Sequence, residues 1–205
     1  MKTPHQDIID IVAIHRHWCD FWGNGGWAHG DAARLLSESH LDWLVSLAEC
    51  LSLWIRKNTN KNLTSGGLIL AWTNLGSLLE GSMKFFLSVY KHDYDQTPVN
   101  GRKQKPADPD ELTLERLRQF YAKYIWKDSQ KRDWNDWVGQ IRDRRNAIHA
   151  YQDRDLGSFS DYKESINYYL HFVLELEDHI PYPDEEYAYP LTVYEILERV
   201  RYANH

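Results

Sequence analysis

Apolar side chains recur every third and fourth residue along nearly all of this chain, and that period suits one kind of backbone. Ile8, Ile11, Val12, His15, Trp18, Cys19 and Trp22 fall on one stripe of a helix. A helix with one apolar stripe must bury it against another element, so a succession of such helices predicts helix-on-helix packing. Gly23-Asn24-Gly25-Gly26 stops the first helix as a turn. It lacks the preceding strand and the following Lys-Ser/Thr of a phosphate loop. Asp31 is placed to cap a second helix reaching about Lys57, with Leu35, Leu36, Trp43, Leu44, Leu47, Leu51 and Trp54 on its stripe. The polar stretch 58–62 leads to a third helix, capped by Ser65 and running through Tyr90. Its face carries Leu68, Trp72, Leu75, Leu79, Met83, Phe86 and Tyr90. Gly76 and Gly81 weaken that helix but admit a close neighbour.

Pro98, Gly101, Pro106 and Pro109 make 93–110 a loop, with Arg102-Lys103-Gln104-Lys105 as its basic tip. Helices are expected over Glu111–Trp126, Asp133–Tyr151 and Ser160–His179. A segment shaped by Pro181, Pro183 and Pro190 and carrying Asp184-Glu185-Glu186 then leads to a short helix over Val193–Tyr202. No run alternates at a period of two for long enough to make a sheet. The expected class is all-α, a helical bundle of several long antiparallel helices. The length of 205 residues fits a single domain over 1–205, with a core of about 30–180, an N-terminal helix and a C-terminal appendage.

Net charge is -6, which excludes a broad basic face for nonspecific nucleic-acid binding. Even from Lys127 to Asp155, seven Lys and Arg stand against six Asp, so a phosphate site here must be a local arrangement of a few arginines. No apolar run approaches the roughly 18 residues that span a bilayer. Met1–Asp7 lacks the apolar region of a signal peptide. The expected setting is cytoplasmic, without membrane association. Cys19 and Cys50 belong to no CxxC pair and read as two buried thiols in apolar helical contexts. His15 and His17 point about 200° apart on a helix and cannot share a metal. Neither a metal nor a cofactor is expected.

The functional signal lies in Arg142-Asp143-Arg144-Arg145-Asn146-Ala147-Ile148-His149. Arginine stabilises an oxyanion or phosphate, and histidine moves a proton near neutral pH. At about 100° per residue, Trp134, Trp137, Val138, Ile141 and Ile148 share a face, and Arg145 projects from the middle of that stripe. An arginine there needs a carboxylate, because an unpaired buried charge is costly. Glu80, midway along the third helix, is the candidate partner. Arg144 and His149 flank the stripe, with Asn146 one turn before His149.

The run from Trp137 through Tyr151 to Gly157 resembles the HEPN superfamily, the higher eukaryote and prokaryote nucleotide-binding domains. Its signature is an Arg, four to six residues, then His. Four residues separate Arg144 from His149, and six separate Arg142 from it. The resemblance implies a helical bundle of HEPN type over about 30–180 and, in active members, a metal-independent endoribonuclease working as a homodimer. Implied roles are proton transfer for His149, charge stabilisation for Arg144 and orientation of phosphate or imidazole for Asn146, with Arg142 and Arg145 as further RNA contacts. Family members commonly carry a polar residue directly after the motif Arg. Here Arg145 stands in that place and Asn146 follows, so which arginine faces the site stays open. The resemblance also implies a role as a toxin or in antiviral defence, with an antitoxin or other protein partner. An alternative from a different class is an inactive HEPN module that binds a nucleotide or a protein.

Overall fold

The computed structural model describes residues 4–24, 26–55, 64–101, 105–149, 153–183 and 191–202. Nine α-helices run through these residues: α1 Pro4–Trp18, α2 Gly30–Glu38, α3 Leu41–Trp54, α4 Thr64–Val89, the single turn α5 Lys91–Tyr94, α6 Leu114–Tyr124, α7 Asp128–Arg145, α8 Phe159–Asp178 and α9 Leu191–Tyr202. Among the described residues no strand forms beyond one bridge between Asn100 and Pro106. The chain is all-α, as the periodicity implies. No helix among them is long and apolar enough to cross a membrane.

Where the helices stop differs from expectation, for local reasons. The helix expected from Asp31 to about Lys57 breaks at Ser39–His40. Ser39 is extended, and its hydroxyl donates to the Leu36 carbonyl at 2.7 Å, a bond that competes with the helical ladder. The first helix passes into a π-turn over Cys19–Gly23 before Asn24, so the chain does turn at the glycine cluster. The N-terminus of α8 lies one residue before the expected Ser160 cap. Ser158 and Asp161 bond reciprocally there: the Ser158 backbone N–H donates to Asp161 Oδ2 at 2.6 Å, and the Asp161 N–H donates to Ser158 Oγ at 3.3 Å. Of the basic tip 102–105 only Lys105 lies within the described residues, and the polar link 58–62 and the acidic run 184–186 lie outside them.

Contacts group the chain into two compact units, a finer division than the one domain read from length: Met1–Ile55 with Lys163–His205, and Arg56–Tyr162. In the first, α1 packs against α3 and α9 around Ile11, Ile14, Trp18 and Leu51. His15 is a buried core histidine that shares a 2.7 Å hydrogen bond with the Tyr169 hydroxyl, and burial drops its pKa to about 3, so it stays neutral. Glu177 is wholly buried; Trp18 Nε1 donates to it, and the Tyr182 hydroxyl lies 2.9 Å away. Burial pushes its carboxyl up to about 7. Cys19 and Cys50 are free and half-buried.

In the second unit α4 packs against α6 and α7. Leu75, Leu78, Leu79 and Met83 fill the core together with Leu117, Tyr121, Val138 and Ile141. The Tyr121 hydroxyl is satisfied by the Met83 carbonyl at 2.8 Å. At Gly76 the approach is closest. A Cβ there would stand 2.7 Å from Arg145 Cδ and 3.1 Å from Arg145 Cβ, so the glycine is what lets α7 lie against α4.

Candidate functional site

The motif sits where α7 ends. Trp137, Val138 and Ile141 are buried, as one helical stripe requires. After Arg145 the backbone tightens into a 3-10 turn over Asn146–His149. That change of pitch moves the last residues off the helical phase. Ala147 takes the buried position, and Ile148, expected on the apolar face, is 44% exposed. His149 is exposed, and Asn146 is half-buried. Among the described residues neither side chain has a hydrogen-bond partner.

The three arginines have different surroundings. Arg142 donates to Glu115 and, at 2.7 Å, to Asp143. Glu115 also accepts two bonds from Arg118, at 2.8 and 3.0 Å, and one from Gln119 at 2.8 Å. Arg118 first, and then Arg142, hold the Glu115 carboxyl down at about 2 against the opposing effect of burial. Arg145 Nη1 donates to Glu80 Oε2, the carboxylate its place in the stripe called for. Glu80 also accepts from Lys84 at 2.8 Å. Burial alone would raise the Glu80 carboxyl, but Lys84 and Arg145 together outweigh it and keep it below its ordinary range.

Arg144 is held by other means. Its guanidinium lies over the Trp72 indole, 4.7 Å from the ring centre. The nearest carboxylate oxygen, Asp155 Oδ2, is 4.0 Å away, beyond hydrogen-bond reach, on a side chain that is 88% exposed. Gly157, at φ +61°, borders the same guanidinium. A Cβ there would come within 2.8 Å of Arg144 Nη2. Thus Arg144 is 14% exposed and fixed in place, yet among the described residues it makes no hydrogen bond to a carboxylate.

The turn and helix end therefore bring an ordered guanidinium, an amide and an imidazole onto one short segment. Such a set can bind a phosphate and exchange a proton with it. Sequence reasoning passed over Glu115 and gave Trp72 only a core role. The Glu115–Arg118 spacing of i, i+3 was a visible cue for the first. Nothing in the spacing ties Trp72 to a residue seventy positions later. Among the described residues no group of three or more His, Cys, Asp and Glu is placed to hold a metal ion. No family model, no curated protein and no solved structure matches this chain.

Proposed function

We propose that this chain is a HEPN-type endoribonuclease that cleaves RNA at a site formed by two copies of the motif. The observation that carries the reading is the contrast at the end of α7. Among the described residues His149 is exposed and unpartnered, and five residues before it Arg144 alone of the three arginines has no carboxylate in hydrogen-bond contact. The same contrast favours Arg144 over Arg142 and Arg145, whose guanidinium groups already meet carboxylates.

In this reading the ribose 2′-hydroxyl attacks the adjacent phosphorus. The new P–O2′ bond forms as the P–O5′ bond breaks. The 2′ proton leaves to one imidazole, and the departing 5′ oxygen takes a proton from the other copy's imidazole. Arg144 stabilises the charge that grows on the non-bridging oxygens, and Asn146 orients phosphate or imidazole. The products are a 2′,3′-cyclic phosphate and a 5′-hydroxyl. Two copies are invoked because each chain brings a single motif histidine. A role as a toxin or in antiviral defence, with an antitoxin or other partner, belongs to the same proposal.

The test uses purified full-length protein, chelator, a single-stranded RNA and its DNA equivalent. Cleavage of RNA only, with cyclic-phosphate ends, and its loss in His149→Ala at unchanged melting temperature, is the expected result. Equal activity in His149→Ala, or activity only with added divalent metal, overturns the mechanism. The second reading, an inactive module that binds a nucleotide or protein, is favoured by the ion pairs that occupy Arg142 and Arg145. Binding of RNA without cleavage would select it.

A further inference from the structure

Arg144 combines two properties that seldom occur together. Its body is pinned, while its N–H donors are uncommitted among the described residues. Arginine normally loses considerable side-chain freedom when it grips a ligand. A guanidinium already fixed on an aromatic face has lost most of that freedom beforehand, so more of its attraction for an anion appears as affinity.

What pins it is itself pinned. Trp72 is fully buried on α4. Its indole N–H donates to the Leu156 carbonyl at 2.8 Å, and its ring meets the edge of Tyr162 at 5.2 Å and 89°. These two contacts leave the indole one orientation, in which it carries the Arg144 guanidinium. The Leu156 bond also holds the 155–158 turn beside that guanidinium, and the turn fits because residue 157 has no Cβ. One buried tryptophan thus orients both the arginine and the loop next to it. Asp155 and Asp161 are the acidic groups on that side: Asp155 is 88% exposed and 4.0 Å from the guanidinium, while Asp161 Oδ2 accepts from Ser158 and its carboxyl is held below its ordinary range first by those bonds and also by the charge of Arg144.

We infer that Trp72 is a positioning residue: it holds Arg144 as a preorganised receptor for a phosphodiester of single-stranded nucleic acid, with the Gly157 turn packed closely against the same guanidinium. The inference rests on the reading of Arg144 as the phosphate-binding arginine. It assigns no chemical step to Trp72. The indole acts through Arg144 by cation–π attraction and by its fixed orientation.

The experiment measures binding of a fluorescent single-stranded deoxyoligonucleotide, which has phosphodiesters but no 2′-hydroxyl, alongside cleavage of the matching RNA. Trp72→Phe keeps an aromatic core but removes the N–H anchor and shrinks the platform. It should weaken binding of the deoxyoligonucleotide about tenfold. The pH profile of cleavage should keep its shape, because Trp72 takes no part in proton transfer. Gly157→Ala serves as the second variant if Trp72→Phe folds poorly: it strains the loop at φ +61° and presses on both Asp161 Oδ2 and the Arg144 guanidinium while leaving Trp72 in place, and it should weaken binding by the folded protein in the same way. In an Arg144→Lys background, where the side chain has no flat face to stack, Trp72→Phe should cost no further affinity. A purely structural Trp72 would lower the melting temperature and leave the affinity of the folded protein unchanged, and that result overturns the inference. So does wild-type protein that fails to bind the oligonucleotide. Wild type that binds it with Trp72-dependent affinity but leaves RNA intact supports the preorganised arginine and removes the nuclease reading instead.

Discussion

Adding one methyl group at Gly76 tests how α4 and α7 are held together. In an isolated helix Gly→Ala is favourable by about 1 kcal/mol, because glycine has the greater backbone freedom to lose. At Gly76 the new Cβ would lie 2.7, 3.1 and 3.2 Å from Arg145 Cδ, Cβ and Cγ. The Cδ can swing aside, but the Arg145 Cβ is fixed to the α7 backbone, so the helices must separate by a few tenths of an ångström. Overpacking of this kind costs about 1–3 kcal/mol. The shift also pulls Arg145 away from Glu80. The net expectation is a destabilisation of about 1–2 kcal/mol, or about 2–6 °C in melting temperature for a chain of this size. Calorimetry of Gly76→Ala alone and combined with Arg145→Ala makes the test specific. Arg145→Ala removes the contacts of Cδ and Cγ but keeps the Cβ at 3.1 Å, so Gly76→Ala should cost less in that background without becoming favourable, giving a clear coupling between the two sites. A melting temperature that rises in the single variant, or equal effects in both backgrounds, would refute the close approach.

Two further outcomes concern Arg145 and Glu177. Arg145→Ala should cost about 1–3 kcal/mol, less than the about 3–5 expected when a buried carboxylate is abandoned, because Lys84 remains on Glu80; urea denaturation showing no loss would place Arg145 in solvent. Glu177 keeps its proton in the folded chain up to about pH 7 but releases it near its ordinary 4.5 when unfolded. Its stabilisation is therefore full below the unfolded value and is lost as pH rises through about 7. Glu177→Gln should flatten the fall in melting temperature across that window, and parallel curves for the two proteins would show that burial does not shift this carboxyl.

Periodicity carried the helices well because packing and propensity agree along most of the chain. Ile11, Trp18, Leu75, Leu79, Ile141 and Val138 all lie where a period of 3.6 puts them. It failed at ends, where single side chains decide. The Ser39 hydroxyl ended α2 early, and the 3-10 turn after Arg145 turned Ile148 outward. Arg145 was legible as needing a carboxylate, since a charge within an apolar stripe has few alternatives. The surroundings of Arg144 were not. Its platform is a tryptophan on a distant helix and its loop neighbour a glycine with positive φ, and neither proximity leaves a mark in local spacing.

The order of the chain has a consequence for its synthesis. The unit that carries the motif, Arg56–Tyr162, is contiguous, whereas the other needs Met1–Ile55 and Lys163–His205 together. As a nascent polypeptide leaves the ribosome from its N-terminus, the inner unit has all of its own residues first. The outer one holds α1 and α3 unfinished until α8 and α9 emerge. His15 and Trp18 on α1 lack their Tyr169 and Glu177 partners during that interval. Ribosome stalling at a point where residues up to about 165 have emerged from the exit tunnel should therefore yield a protease-resistant inner fragment flanked by a sensitive N-terminal arm.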